Sequence, residues 1–222
     1  MRIKVINPNT TESMTRKIGE AARAAAAVGT EIVACFGDPG LLACREVARG
    51  PVLGIAEAAM HAAAFVATGF SIVTTLARTR VIAAELVERY GMTRFCRAIR
   101  ATDLPVLDLE REGSEARRSV LDECKRAVAE DGAGAIVLGC AGMADLTAEV
   151  QKAIGVPVID GVAAAVKFVE ALVGMGLQTS KVGDLAWPLP KTYTGALAHM
   201  APAPATRRSP SSSARRRGRH EA

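Results

Sequence analysis

The sequence predicts an α/β protein of two pseudo-symmetric lobes, each with a mainly parallel sheet flanked by helices, and an active site in the cleft between them. Three observations predict it. Apolar strand-like runs alternate with helical runs along the chain, which is the pattern of a parallel α/β sheet. Two stretches look like copies of one another: Ile32-Val33-Ala34-Cys35 leads to Pro51-Val52-Leu53-Gly54-Ile55 and an alanine-rich helix, and Ile136-Val137-Leu138-Gly139-Cys140 leads to Pro157-Val158-Ile159-Asp160-Gly161 and another. Both apolar runs end in a thiol followed by small residues, which sets each thiol at the carboxyl edge of a sheet, where open α/β folds bind ligands.

Each element follows from its local pattern. Residues 2–6 read as the first strand, and Asn9 with Glu12 three residues on makes a capping-box-like start for a helix to about Val28. Residues 30–36 form a strand, 40–48 a short helix behind Pro39, 52–55 a strand and 56–67 a helix. The pattern restarts with a strand at 70–75 and a helix at 81–90, and residues 95–99 and 106–109 are short strand candidates. A helix at 115–130, a strand at 136–139, a helix near 144–154, a strand at 158–159 and a helix at 162–173 complete the second unit, and loop follows Leu177. The expected division is a shortened first lobe at 1–68 completed by part of 174–200, a second lobe at 69–173, and a disordered basic tail at 201–222.

Half of the 222 residues are hydrophobic, enough for a substantial core. The net charge of +5 resides in the tail, where Arg207, Arg208, Arg215, Arg216, Arg217 and Arg219 face only Glu221. The rest of the chain is neutral and gives no basic-surface signal, so nucleic acid is not an expected partner. The Pro/Ser/Arg-rich tail has no apolar period. No signal-peptide pattern and no long apolar span is evident, so a cytoplasmic protein with free thiols and no membrane association is expected. The five cysteines lack the CxxC spacing of a zinc site.

A lone free cysteine usually behaves as a small hydrophobe, and Cys44, Cys96 and Cys124 are read that way. Cys35 and Cys140 differ because they occupy equivalent places in the repeat, each before a turn and a helix start that would lower a thiol pKa. Two such thiols suit one reaction class. Inverting a stereocentre whose C–H is acidified by a carbonyl needs a base on one face and an acid on the other. One thiolate removes the proton, the other thiol returns one from behind, and neither metal nor organic cofactor is required. Asn7, Asn9, Thr74 and Thr75, at the ends of the two opening strands, are the expected substrate-binding residues. Together with backbone N–H groups around Gly37 and Gly142 they are placed to stabilise an enolate-like oxygen. Glu57 and His61, four apart on a helix, are left outside the site.

These residues resemble the hydantoin racemase branch of the aspartate/glutamate racemase superfamily. The resemblance is carried by INPNTTESMT at 6–15, CFGDPGLLACREVA at 35–48, GIAEAAMH at 54–61, FSIVTTLARTR at 70–80, IVLGCAGMADL at 136–146 and VPVIDGVAAAVKFVE at 156–170. It implies cofactor-independent racemisation of 5-substituted hydantoins, with Cys35 and Cys140 as the acid/base pair, and a homo-oligomer. Allantoin or a related ureide is the alternative substrate, and a shortened remnant that only binds a small carbonyl compound is a different class of reading. One departure stands out. The family has a further strand and helix between its counterpart of residues 30–34 and the strand that ends in the first cysteine, whereas here Glu31-Ile32-Val33-Ala34 runs straight into Cys35.

Overall fold

A computed structural model describes residues 4–8, 11–25, 31–111 and 113–201. Asn9 and the Arg-rich tail from 202 onward lie outside the described residues. Among the described residues seven strands form two sheets. In the first, β1 (Lys4–Ile6), β2 (Glu31–Val33) and β3 (Val52–Gly54) run parallel in the order β1-β2-β3. In the second, β4 (Phe70–Thr74), β5 (Cys96–Ala101), β6 (Ala135–Leu138) and β7 (Val158–Ile159) run parallel in the order β5-β4-β6-β7.

The two sheets match strand for strand once β5 is set aside. Beyond the last paired residues, the Ala34 N–H donates to the Ile6 carbonyl at 2.9 Å and the Gly139 N–H to the Val73 carbonyl at 2.8 Å. The residue after each is the repeat cysteine, so the duplication seen in sequence is also a duplication of register. β5 occupies the far side of β4, and the corresponding place beside β1 holds no strand among the described residues. Every residue of β4 and of β6 is buried, as central strands covered on both faces require.

Among the described residues seven helices cover the sheets: α1 (Glu12–Ala25), α2 (Leu41–Val47), α3 (Ile55–Val66), α4 (Arg80–Arg89), α5 (Glu115–Asp131), α6 (Thr147–Ile154) and α7 (Gly161–Gly174). α1 buries Met14, Ile18 and Ala22, four residues apart along one stripe. Ala56, Ala59, Met60 and Ala63 of α3 pack with Phe70, Ile72, Ala135 and Val137 of the second sheet. Val162, Ala165, Val166 and Val169 of α7 pack instead with Ile18, Ala34 and Ile55, and with part-buried Val5 and Leu53 of the first sheet. Each repeat thus sends its closing helix over the other's sheet, and alanines along both helices let them run side by side.

Residues 106–109 do not form a strand. They belong to a 3-10 turn, Val106–Glu110, whose Leu109 and Val106 pack with Met143 and Leu146 of the turn that follows Cys140. Pro105 at the entrance to this segment has no N–H to give a sheet ladder. The helix expected near 144–154 divides into a 3-10 turn, Ala141–Leu146, and α6. After α7 the chain returns to α2: the Thr179 N–H donates to the Arg49 carbonyl at 3.0 Å, and Lys181 donates to the carbonyls of Arg45 and Glu46 at 2.5 and 2.9 Å while lying 4.4 Å from the Trp187 ring. Among the described residues no helix is long and apolar enough to cross a membrane.

Candidate active site

Cys35 and Cys140 stand at equivalent carboxyl-edge positions of β2 and β6, and both side chains are half-buried. Their neighbours Ala34 and Ala141 belong to one buried cluster, so the two strand ends come together, and at Cys140 the Cys35 charge adds to the rise in pKa that burial causes. Cys44, Cys96 and Cys124 lie apart from this pair. Cys44, on α2, packs against Val33 and Val52, and burial drives Cys96 to about 11 and Cys124 to about 12.

The depressed thiol pKa values expected from sequence are not found. At Cys35 burial raises the pKa and the nearby Asp38 charge adds to the rise. The turn's N–H groups do not reach the sulfur, because Gly37 and Asp38 donate theirs to the Cys35 carbonyl at 2.8 and 3.0 Å. At Cys140 burial is again the largest effect; the Gly142 N–H and the charge of Lys17 act in the opposite direction without overcoming it. Desolvation of a thiolate outweighs one or two oriented N–H groups. Two neutral thiols are therefore the ground state near neutral pH, and a thiolate becomes populated as pH rises.

Asn7 and Thr74 follow β1 and close β4 at matching places. Asn7 donates to Thr15 Oγ1 at 2.9 Å, and the Thr74 hydroxyl contacts Thr79 Oγ1 at 2.9 Å and donates to the Gly139 carbonyl at 3.3 Å. Thr75 is buried; its carbonyl accepts from Thr102 Oγ1 at 3.2 Å, and its own hydroxyl has no hydrogen-bond partner among the described residues. Asn9 falls outside the described residues. The Gly37 N–H, expected to face an enolate oxygen, is used within its own turn, and the Gly142 N–H works against the burial that raises the Cys140 pKa.

Further residues around the thiols were not singled out as site residues in the sequence. Asp38, buried and with φ of 43°, accepts from the backbone N–H groups of Ala56 and Glu57 at 3.2 and 3.0 Å and from the Tyr90 hydroxyl at 2.7 Å. It caps α3 from another loop, in the place that Asp160 takes for α7 from within its own chain segment, accepting from Val162 and Ala163. Gly54 precedes α3 because a Cβ there would overlap the Asp38 carboxylate. Lys17 on α1 pairs with Asp145 at 3.5 Å, and Asp145 also takes Arg117 at 2.5 Å, which ties α1 and α5 to the turn after Cys140. Val106 walls the same turn: a Cβ on Gly142 would come 2.6 Å from Val106 Cγ2 and 3.7 Å from Cys140 Sγ. In sequence, Asp38 reads as an Asp-Pro-Gly turn and Lys17 as an exposed helix residue, so neither carried a signal.

Glu57 and His61 stay outside the pair. Glu57 binds Arg45 at 2.5 Å, and His61 Nδ1 contacts the Glu57 carbonyl at 2.8 Å. Among the described residues no group of three or more His, Cys, Asp or Glu is arranged to hold a metal ion.

Comparison with known proteins places this architecture. The family model described as Asp/Glu/Hydantoin racemase matches residues 29–169. A hydantoin racemase of Rhizobium meliloti is 55% identical over 168 residues, covering 76% of this chain and 70% of that protein. A hydantoin racemase of Pseudomonas sp. (strain NS671) is 42% identical over 238 residues, covering 89% of this chain and 96% of that protein. That alignment is longer than the whole 222-residue chain, so the relative contains residues this chain lacks. Among solved structures, allantoin racemase from Klebsiella pneumoniae superposes with a TM-score of 0.87 at 49% identity, covering 91% of this chain and all of that one.

Proposed function

The chain belongs to the Asp/Glu/hydantoin racemase family, and from that membership we propose that it inverts the C5 stereocentre of 5-substituted hydantoins by proton transfer between Cys35 and Cys140. One observation carries the proposal: the repeat sets two free thiols at equivalent strand ends in the two sheets, near enough for their charges to interact. C5 of a hydantoin lies between a ring carbonyl and a ring nitrogen, so its proton is acidic and the carbanion is planar. A thiolate on one face takes that proton, and the thiol on the other face gives one back. The product is the mirror image, and each sulfur ends in the state the other began in. Thr75, with its buried free hydroxyl, Thr74 and Asn7 are the proposed contacts to the ring, together with Asn9. The chemistry is assigned to side chains alone, without a cofactor.

A second reading has its own support. The Klebsiella pneumoniae relative is an allantoin racemase, and allantoin is itself a hydantoin bearing a ureido group at C5. The same two thiols would serve it, and Val106 and Met14, which lie against the turn after Cys140, would select between a ureido and a hydrocarbon substituent. In this reading the protein is a homo-oligomer in the cytoplasm; the exposed Phe65, Val66 and Met175 are apolar surface that a second copy would cover. The packing of residues 179–181 on α2 supports a first lobe completed by the segment after α7.

The test is racemisation in D₂O. A single enantiomer of a 5-substituted hydantoin, and separately of allantoin, should lose optical rotation to zero while deuterium enters C5, and the ratio of the two kcat/KM values names the substrate. Retention of optical rotation with both compounds, in a folded protein, overturns the proposal and leaves the reading of a shortened remnant that binds without turnover.

A further inference from the structure

We propose that Asp145 is a positioning residue: by binding Lys17 and Arg117 it holds the turn after Cys140 against α1, and so sets the gap between the two sulfurs in which the ring must fit. The inference rests on the two-thiol reading above and adds to it the contact that keeps the pair in register.

The two thiols follow strands of different sheets, so their spacing depends on what joins the sheets at this edge. On the Cys140 side α1 makes the joint through one face, which carries Met14, Lys17 and Ile18. Ile18 belongs to the same buried cluster as Ala34, the residue before Cys35, and Ala141, the residue after Cys140. Met14 Cε lies 3.8 Å from the place a Cβ on Gly142 would take, and Cys140 Sγ lies 3.7 Å from that place. Lys17 Nζ meets Asp145 Oδ2 at 3.5 Å. One helix face is thus set against the Cys140 turn.

The same helix is tied to Cys35. Asn7, just after β1, donates to Thr15 Oγ1 at 2.9 Å, and the neighbouring Ile6 carbonyl accepts from the Ala34 N–H at 2.9 Å. A line of contacts therefore runs from Cys35 through Ala34, β1 and α1 to Asp145 and the Cys140 turn.

Within that line the apolar contacts set closeness, and the carboxylate sets direction. Arg117, on α5, takes the same Asp145 oxygen at 2.5 Å and also donates to the Leu109 carbonyl at 2.9 Å, so the turn is fastened from two sides. The Cys35 turn has its own tether to the other sheet in Asp38, which accepts from Tyr90 at 2.7 Å. An ion pair at the surface adds little to stability. Its consequence here is geometric, because each sulfur must come within about 3–3.5 Å of the same carbon.

The experiment cross-links the full chain at alkaline pH with bis-methanethiosulfonates of graded spacer length. Peptide mass spectrometry reads the link between Cys35 and Cys140 apart from the other cysteines. The parent chain should form it with a narrow preference for one spacer. Lys17→Met and Asp145→Ala should shift or spread that preference, and Lys17→Arg should restore it. Both disruptive variants should also lose racemisation kcat on the order of 10-fold or more. If Asp145→Ala does not fold, Lys17→Met decides alone. A parental spacer preference in either folded variant overturns the proposal, as does an unchanged kcat beside a shifted preference. A parent chain that links Cys35 to Cys140 with no spacer contradicts instead the opposed pair on which the proposal rests, so the two failures are distinct.

Discussion

Asp38 accepts a 2.7 Å hydrogen bond from the hydroxyl of Tyr90, the residue that ends α4, and this fastens the loop carrying Cys35 to that helix. The loop and helix belong to different sheets, so this contact is one of the joints that fix one thiol relative to the other. It also keeps the tyrosine protonated, since burial and the Asp38 charge both push its pKa upward.

Removing that donor should loosen the joint. Tyr90→Phe deletes one of three hydrogen bonds to a buried carboxylate, at an expected cost of about 1–3 kcal/mol. Urea unfolding of the variant checks the value, and unchanged stability would mean that water replaces the hydroxyl freely.

Crowding the Cys140 turn should damage rate more than fold. A Cβ at Gly142 would stand 2.6 Å from Val106 Cγ2, so Gly142→Ala must shift either the Val106–Glu110 turn or the cysteine. A displacement near 1 Å costs on the order of 100-fold in rate. Steady-state kinetics beside a thermal melt checks this; a variant with wild-type kcat would show that the turn relaxes without moving the sulfur.

The ion cluster at the β5 edge predicts acid sensitivity. Arg100 bonds Asp131 through two nitrogens at 2.7 and 2.5 Å and also reaches Glu123 and Glu130. The Arg100 hydrogen bonds hold Asp131 below its ordinary value of 3.8, with a smaller contribution from Ser71. A carboxyl whose folded pKa is depressed contributes stability above its unfolded pKa and loses it as pH falls through the folded one. Arg100→Met should therefore remove about 1–3 kcal/mol at neutral pH, because it leaves buried Glu123 and half-buried Asp131 without their cation, and should flatten the stability curve below about pH 4. A wild-type-like loss of stability between pH 4 and 2 in the variant would contradict this.

The C-terminal segment should depend on one lysine. Lys181 donates to the Arg45, Glu46 and Leu185 carbonyls at 2.5, 2.9 and 3.3 Å, closing the exposed end of α2. Lys181→Met should expose residues 177–201 to limited proteolysis, with mass spectrometry reading the cut sites, and wild-type resistance would show that the Thr179 contacts suffice.

What the sequence made legible has a physical reason. The repeat of Ile32–Cys35 and Ile136–Cys140 gave strand, edge and thiol together because buried parallel strands are written as short apolar runs. The 106–109 segment misled because four apolar-rich residues read alike as strand or turn, and only contact with Met143 and Leu146 selects the turn. The exchange of α3 and α7 between sheets leaves no local mark, since both are simply apolar helices. The thiol pKa shifts were misjudged for a related reason: proximity to a helix start is visible in sequence, while the depth of burial and the Asp38 and Lys17 neighbours are tertiary facts.

The raised thiols give a direction for the rate profile. Catalysis needs one thiolate and one thiol, and burial holds both above the ordinary thiol value of 9.0. The kcat/KM for racemisation should climb with pH through neutrality into the alkaline range, and fall only where the second thiol ionises. A plateau already reached below pH 7 would mean that a thiolate is preformed.

The most direct measurement is racemisation by Cys35→Ser and Cys140→Ser, each compared with the parent chain by decay of optical rotation of a single hydantoin enantiomer. A serine hydroxyl is far too weak an acid to replace either thiol as base, and both variants should lose racemisation while remaining folded. Full activity in either one would contradict the assignment of two opposed thiols.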